Sequence, residues 1–266
     1  MNVVSDERLL VVFKTITVDE FNGPDTSIGE AFAPLKKAFP EITTLTTAHI
    51  GTQYGGLVKE PVLFTSESMK TLSIDAVTPQ TNYLPPLANI TEVQTAGRQV
   101  WTYISVQPYK PYGDWRLDNP LVDARALFWL VSAFGFDGLL HWGLNQWSGT
   151  SSMHPIAANS TDGFISPEEW NMATSAGSWM QGDGKLIYCG EDGPLSSSRL
   201  VNIRDGMDDY DYIAMALAAD KQAADQLVGR VSDGKCPYCA ARNVSLLRST
   251  REFMAQIIER SLAHNA

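Results

Sequence analysis

Strand-like and helix-like segments alternate along most of this chain, and that alternation constrains the fold more than any other feature. Runs rich in β-branched and apolar residues predict five strands, at 9–18, 43–47, 71–77, 100–106 and 138–144. Segments with capping residues and an apolar face predict intervening helices, the clearest of them at 118–135. Such alternation predicts βαβ units around a parallel sheet.

The predicted strands are too few for a closed (β/α)8 barrel, which has eight. Either further strands escape detection or the N-terminal part of a barrel is missing, which would leave an open sheet edge that favours self-association. We assign residues 1–220 to a partial barrel-type α/β domain and residues 221–266 to a C-terminal helical tail. Near this boundary the sequence predicts one long helix at 196–227 with an irregularity at Gly206, then a closing helix at 243–266.

The acidic balance of the chain excludes several classes of partner. The formal net charge is −10, so we expect no basic face for nucleic acid or for an anionic membrane. No apolar run reaches the roughly 18 residues of a membrane span, and residues 1–14 lack the pattern of a signal peptide. Glycosylation acceptor triplets at Asn89, Asn159 and Asn243 permit secretion without establishing it, so the compartment stays open.

Polar and aromatic side chains gather at the ends of the predicted strands. Ligands of parallel α/β folds bind beyond the carboxyl ends of the strands. The residues expected there are Asp19, Glu20, Asp75, Tyr103, Trp142, Asn145 and Trp147. Aromatic rings cover the C–H faces of sugars, and carboxylates and amides hydrogen-bond the sugar hydroxyls. We therefore expect a carbohydrate site, with no metal and no cofactor.

Structural roles are the alternative for several of these residues. Two adjacent ionised carboxylates, Asp19 and Glu20, are costly at the end of a buried strand unless they are solvated or used, which favours a functional role. Asp75 suits a cap or a turn equally well. We assign structural roles to Trp101, Asp123, Arg125, Trp129, His141, Arg199, Arg204, Asp205 and Asp208.

Cys236 and Cys239 form a Cys-x-x-Cys motif near the end of the chain. Such a pair serves as a redox motif, as half of a zinc site or as a local disulfide. No second pair or nearby histidine completes a zinc site. The motif also does not open a helix after a strand, as a thioredoxin-like motif does. We favour a structural disulfide or two free thiols, and we rank a thiol oxidoreductase third among the function classes.

Two long blocks of sequence resemble a known family. They read GRQVWTYISVQPYKPYGDWRLDNPLVDARALFWLVSAFGFDGLLHWGLNQW and GDGKLIYCGEDGPLSSSRLVNIRDGMDDYDYIAMAL. Together with the segment TVDEF they resemble the glycoside hydrolase family 123 catalytic domain and the related domain of unknown function 4091 family. The resemblance implies a (β/α)8 barrel of the TIM type, of which the C-terminal five or so β/α units are present here.

The resemblance also implies a reaction. Family 123 enzymes act on β-linked N-acetylgalactosamine, and an adjacent Asp-Glu pair at a strand end performs the chemistry. Here Glu20 would be the general acid/base, and Asp19 would orient the 2-acetamido group of the substrate, whose carbonyl oxygen is the nucleophile. The implied protein is a retaining β-N-acetylhexosaminidase-type hydrolase with a glycan substrate. The alternative is a non-catalytic carbohydrate-binding or scaffold relative of the same fold.

Overall fold

The structure, a computed structural model, describes residues 15–21, 26–48, 65–82, 87–105, 108–144, 182–190, 193–236 and 239–264. Two predicted site residues, Asn145 and Trp147, lie outside these ranges. Asp19 and Glu20 are described through their backbone alone.

The described part of the chain contains strands and helices in alternation. The strands are β1 Thr15–Phe21, β2 Thr43–Ala48, β3 Ala76–Val77, β4 Gln99–Ile104, β5 Gly138–His141, β6 Ile187–Gly190 and β7 Gly193–Ser196. The helices are α1 Thr26–Ala38, α2 Ser66–Thr71, α3 Leu87–Thr95, α4 Asp123–Phe134, α5 Ser198–Ala219, α6 Lys221–Val231 and α7 Val244–His264. None of these described helices has the length and apolar character needed to cross a membrane.

Five strands form one sheet, in the order β1-β2-β3-β4-β5 that they also have in the chain. The pairs β1/β2, β2/β3 and β3/β4 run parallel. The predicted α/β fold with a parallel sheet is therefore confirmed. Strands β6 and β7 pair separately as an antiparallel hairpin. The sequence predicts a short strand or extended segment at 185–190, which β6 confirms, but it does not predict β7.

The predicted strand at 71–77 is wrong over most of its length. Helix α2 ends at Thr71, and β3 contains only Ala76 and Val77. A capping box fixes the start of α2, because the Thr65 hydroxyl accepts from the Ser68 N–H at 3.2 Å and the Ser68 hydroxyl accepts from the Thr65 N–H at 3.0 Å. The β-branched residues Thr71, Ile74 and Val77 favour a strand, which is why helix α2 was not predicted.

The described residues group into two compact units. The first unit contains the described residues up to Tyr103 together with Phe136–Leu140. Its largest fully buried side chains are Ile28, Phe32, Leu45, Met69, Ile74 and Ile90. These residues come from the three helices α1–α3, from β2 and from the segment before β3, so burial of apolar side chains holds the helices to the strands.

The second unit contains Ile104–Gly135 and the described residues from His141 onward. Beside its hydrophobic core, the buried Asp209 of α5 accepts hydrogen bonds from Arg125 Nε at 2.6 Å, Arg125 Nη2 at 2.8 Å and Trp129 Nε1 at 2.8 Å. Arg125 and Trp129 both lie on α4, so one buried carboxylate joins the two helices. The predicted structural role of Arg125 and the predicted core position of Trp129 are confirmed.

The predicted long helix at 196–227 is wrong, because the chain breaks it at Asp220 into α5 and α6. Asp220 adopts an extended backbone with φ −151°, and its carboxylate accepts from the Ala223 N–H at 3.0 Å as the N-cap of α6. Gly206, in contrast, causes no irregularity and lies inside α5. A Cβ atom at Gly206 would approach Phe128 Cδ2 to 2.4 Å and the Arg125 carbonyl oxygen to 3.0 Å, so this glycine allows α5 to approach α4 closely.

The loop between α6 and α7 is joined to the start of α4. Arg242 donates from Nε to Asp123 Oδ1 at 2.6 Å and from Nη2 to Asp123 Oδ2 at 3.1 Å, which confirms the structural role predicted for Asp123. In the same loop Cys236 and Cys239 form a disulfide. Of the two alternatives favoured for this motif, the structural disulfide is therefore the one observed.

Candidate functional site

Strand β1 contains a β-bulge at the predicted catalytic pair. Val18 pairs with Thr46 of β2 and Phe21 pairs with Ala48, so Asp19 and Glu20 together stand opposite a single residue of β2. A bulge of this kind interrupts the alternation of faces along a strand and increases its local twist. The pair also falls within the last three residues of β1. Its predicted place at the carboxyl end of a parallel strand is therefore confirmed, and its chemical role stays a prediction.

Asp75 does not lie where the sequence predicted it. It precedes β3, at the amino end of that strand, and both of its oxygens are engaged. Oδ2 lies 2.8 Å from Lys36 Nζ and 3.0 Å from the Thr44 nitrogen, and Oδ1 lies 2.8 Å from Arg98 Nη1. Burial raises the pKa of Asp75, but the contacts of Lys36 and Thr44 outweigh it and bring this pKa below its usual value. Asp75 therefore joins α1, β2 and the start of β4, away from the carboxyl end of β3.

Tyr103 lies on β4, as predicted, but its side chain is only 2% exposed. The backbone of β4 is paired at this point with the segment that follows β3. The Tyr103 nitrogen donates to the Pro79 carbonyl at 3.0 Å, and the Thr81 nitrogen donates to the Tyr103 carbonyl at 3.1 Å. The substrate contact predicted for Tyr103 stays a prediction.

Trp142 follows the last residue of β5, and it is 41% exposed. Its indole Nε1–H donates to both carboxylate oxygens of Asp183, at 3.0 and 3.1 Å. Asp183 is buried within a tight turn between Gly182 and Gly184, both of which have positive φ. The polar edge of the indole is thus bound inside the protein, while a large part of Trp142 remains accessible.

Arg199 holds the turn that carries Asp183. Its guanidinium donates to the Gly182 carbonyl at 2.8 Å, to the Trp115 carbonyl at 2.6 Å, to the Lys185 carbonyl and to the Tyr188 hydroxyl at 2.9 Å. Arg199 is itself buried in the first turn of α5, so these hydrogen bonds satisfy a charge that has little access to water. The structural role predicted for Arg199 is confirmed.

His141 is a buried histidine of the core, as the sequence predicted. Its side chain is 3% exposed, and Nδ1 lies 3.0 Å from the Ile104 carbonyl oxygen, which can only accept. The proton of the neutral ring is therefore on Nδ1. Burial lowers the pKa of His141 to about 4, so the ring is neutral at physiological pH. Nε2 lies 3.9 Å from Asp183 Oδ1, beyond hydrogen-bond distance.

A second carboxyl group, Asp114, is buried in the same unit. Its Oδ2 lies 3.0 Å from Arg116 Nη2, yet burial raises the pKa of Asp114 to about 8. The ion pair does not offset the loss of hydration, and the nearby charge of Asp183 adds to the upward shift. Asp114 is therefore protonated at neutral pH.

Asp183, Asp114 and Arg116 were not predicted from the sequence. One signal for Asp183 was present, since the block GDGKLIY places it between two glycines. Nothing in the sequence indicated that its carboxylate would meet an indole 41 residues earlier in the chain. Among the described residues, no group of three or more His, Cys, Asp or Glu side chains could hold a metal ion.

Comparison of the sequence with protein families matches residues 25–216, well over half of the chain, to "Glycoside hydrolase 123, catalytic domain". The chain belongs to glycoside hydrolase family 123. The matched range begins just after Asp19 and Glu20, and it contains Trp142, Asp183 and Arg199. The resemblance noted in the sequence blocks is thereby confirmed, and a glycoside hydrolase-like character follows from it.

A solved structure shares the fold. It is a family 123 glycoside hydrolase from Clostridium perfringens, described for the hydrolysis of glycolipid glycans, with a TM-score of 0.61 at 13% sequence identity. The likeness covers 94% of this chain and 42% of that enzyme, so the family 123 chain described here spans less than half the length of its neighbour. The comparison with curated proteins found no match.

Proposed function

We propose that this chain carries the catalytic residues of a β-N-acetylgalactosaminidase, with Glu20 as general acid/base and Asp19 as the residue that orients the substrate's 2-acetamido group. The proposal includes a fold that forms part of a (β/α)8 barrel, with residues 221–266 as a helical tail. Membership of family 123 supports the reaction class. The observation that carries the residue assignment is the bulge of β1 at this pair.

The bulge supports this assignment because Asp19 and Glu20 would both have to act on the same sugar. Glycosidases that use two independent carboxylates hold them about 5–9.5 Å apart across the bond they cleave, which adjacent residues do poorly. In a substrate-assisted reaction one acid protonates the leaving oxygen and the other stabilises the acetamide of the same sugar, so both act near one end of that sugar. A regular strand assigns neighbouring residues to opposite faces, and a bulge removes that restriction.

Trp142 is the proposed stacking surface for a sugar ring. Its indole N–H is already bound by Asp183, and the exposed part of the residue is available for the C–H face of a sugar. Tyr103, Asn145 and Trp147 remain proposed substrate contacts. Asp75 is not proposed as one, because Lys36, Thr44 and Arg98 occupy its oxygens.

A panel of nitrophenyl β-glycosides tests the proposed reaction, together with a glycolipid-derived oligosaccharide that ends in β-linked N-acetylgalactosamine. We expect release of N-acetylgalactosamine and no release of galactose, because a galactoside lacks the internal nucleophile. Cleavage of both sugars at comparable rates would contradict the substrate-assisted mechanism.

A non-catalytic carbohydrate-binding relative is the second candidate. It is favoured by the range of the family match, which contains Trp142 but begins after Asp19 and Glu20. Saturable binding of N-acetylgalactosamine oligosaccharides without any hydrolysis would select this candidate. We expect binding to depend on Trp142 in both cases.

A further inference from the structure

We propose that Asp183 is a positioning residue that fixes the indole of Trp142 in the orientation in which it stacks on a sugar. This inference rests on the proposed function, since it assigns Trp142 to the sugar. Asp183 does not itself touch the substrate, and it acts through the indole ring of Trp142. Every group involved lies in the second unit.

The geometry of the contact restricts the rotation of the ring. An indole has a single N–H, and that of Trp142 lies between the two oxygens of one carboxylate, at 3.0 and 3.1 Å. A charge-assisted hydrogen bond is roughly twice as strong as a neutral one, so turning the ring about its side-chain bonds would sacrifice a strong contact. Trp142 is 41% exposed, and packing alone does not fix so open a side chain.

The carboxylate is itself held in place. Asp183 lies in a turn whose flanking carbonyl groups, at Gly182 and Lys185, both accept from Arg199. The turn has no room for a larger residue at its first position. A Cβ atom at Gly182 would lie 2.9 Å from Arg199 Nη1, and the φ of +71° is unfavourable for other residues. Arg199, the turn and Asp183 thus form a rigid support behind the indole.

The carboxylate also affects the ring electronically. Hydrogen bonds in a low-dielectric interior polarise the groups they join. Donation from Nε1 to a buried anion increases the electron density of the indole, and the face of an aromatic ring carries the negative part of its quadrupole. Such a face attracts the partly positive C–H groups of a sugar more strongly. Asp183 therefore supports stacking both by orientation and by polarisation.

Three substitutions isolate this contact. Asp183→Ala removes the acceptor, whereas Asp183→Asn keeps an acceptor oxygen at the same place. From the other side, Trp142→Phe keeps an aromatic face but removes the N–H. We expect Asp183→Ala and Trp142→Phe each to raise KM for the N-acetylgalactosaminide by about tenfold with a smaller change in kcat, as for loss of a hydrogen bond to a charged group. Asp183→Asn, which offers a neutral acceptor, should recover part of that loss.

The decisive comparison is the double variant. If Asp183 acts through Trp142, then Asp183→Ala has no further effect on KM once Trp142→Phe has removed the N–H. Losses that multiply instead would show that Asp183 acts independently, and they would overturn the inference. If Asp183→Ala does not fold, Asp183→Asn is compared in the wild type and in Trp142→Phe. This gives the same test with a smaller change in KM.

A spectroscopic measurement separates this inference from the proposed reaction. The indole N–H resonance of Trp142 in a 1H–15N spectrum is identified by its loss in Trp142→Phe. We expect Asp183→Ala to shift that resonance and to speed its exchange with solvent. An unchanged resonance would overturn the inference even in an active enzyme. A protein with no turnover and no glycan binding refutes the proposed function, and the resonance then still decides whether Asp183 holds the ring.

Discussion

At the scale of single residues, the guanidinium of Arg116 acts on two buried carboxyl groups, Asp114 and Asp183. Arg116 lies 3.0 Å from Asp114 and its charge also lowers the pKa of Asp183. Burial is the largest influence on both carboxyls and raises both pKa values. Arg199 also lowers the pKa of Asp183, whereas Arg116 is the cation that acts on Asp114. Protonation of Asp114 therefore removes a repulsion between the two acids.

This arrangement predicts how stability depends on pH. Asp114 keeps its proton up to about pH 8 in the folded protein and loses it near 3.8 when unfolded. His141 behaves in the opposite way, with a pKa of about 4 when folded and 6.5 when unfolded. From pH 4 to 6.5 the folded and the unfolded protein therefore each hold one proton on Asp114 and His141 together. Over this range a change of pH does not alter the contribution of the two residues to the free energy of unfolding. Above pH 6.5 only the folded state holds a proton on them, so stability falls, by about 2 kcal/mol up to pH 8.

Urea unfolding at pH 5, 6.5 and 8 measures this fall. The control is Asp114→Asn, which keeps an oxygen for the N–H groups of Trp115 and Arg116 that bind Asp114 Oδ1. The difference in stability between wild type and Asp114→Asn should change in favour of the variant between pH 6.5 and 8. A difference that stays constant over that interval would contradict the assignment.

The proposed catalytic pair, Asp19 and Glu20, gives a second prediction at this scale. Glu20→Gln should lower hydrolysis on the order of 10²–10⁴-fold, because proton donation to the leaving oxygen is lost. The loss should be largest for poor leaving groups, which need that proton most. Asp19→Asn should slow all leaving groups alike, because it weakens attack by the acetamide. Glu30→Gln, on the exposed side of α1, is the matched control and should leave the rates unchanged. Full activity in Asp19→Asn would refute the assignment.

Some site residues could be predicted from the sequence and others could not. The pair Asp19-Glu20 stands out in the sequence because two adjacent acids at a strand end are costly, and its role stays a prediction. His141 and Trp129 were predicted correctly as core residues because apolar neighbours surround them in the chain. Asp183 was missed because its partner Trp142 is remote in sequence, and Asp75 was misplaced because β3 begins one residue after it.

At the scale of elements, local signals explain which predictions held. Helix α4 has an apolar face and ends at Phe134. Its C-cap residue, Gly135, has a φ of +70°, and a glycine at this place predicts the end of a helix. The break at Asp220 escaped prediction because the residues on both sides favour helix, and only its extended backbone and its bond to Ala223 mark the N-cap. The segment of β6 was recognisable as a short strand or extended segment, but its pairing with β7 escaped because β7 is only four residues long.

Two glycines in helices allow a matched test of element packing. Gly206→Ala in α5 should destabilise the protein by about 1–3 kcal/mol, because the new Cβ would meet Phe128 at 2.4 Å and the backbone of Arg125 at 3.0 Å. Gly229→Ala in α6 meets nothing within 4 Å and should stabilise by about 0.5–1 kcal/mol through helix propensity. Chemical denaturation measures both. Similar effects of the two substitutions would refute the close approach of α5 to α4.

At the scale of the whole molecule, the alternation of elements was enough to predict a parallel α/β sheet in chain order. It was not enough to predict the two compact units, because contacts between distant segments define them. The first unit includes Phe136–Leu140, which lie more than 30 residues after the rest of that unit in the chain. In the second unit, Asp209 binds Arg125, which lies 84 residues earlier in the chain. Periodicity reports which face of an element is apolar, and it carries no information about which distant element covers that face.

Strand β1 gives the prediction at this scale. Within the described sheet it is a terminal strand, paired with β2 on one side. An open edge offers unpaired N–H and C=O groups to another chain, so we expect concentration-dependent self-association. Lysine at an edge strand opposes such pairing, and the double substitution Thr15→Lys and Thr17→Lys should shift the protein toward monomer in sedimentation velocity. Thr95→Lys on the exposed side of α3 adds the same kind of charge away from the edge and should have no effect. A wild-type protein that stays monomeric at every concentration, or an equal response to both sets of lysines, would show that the β1 edge is not the interface.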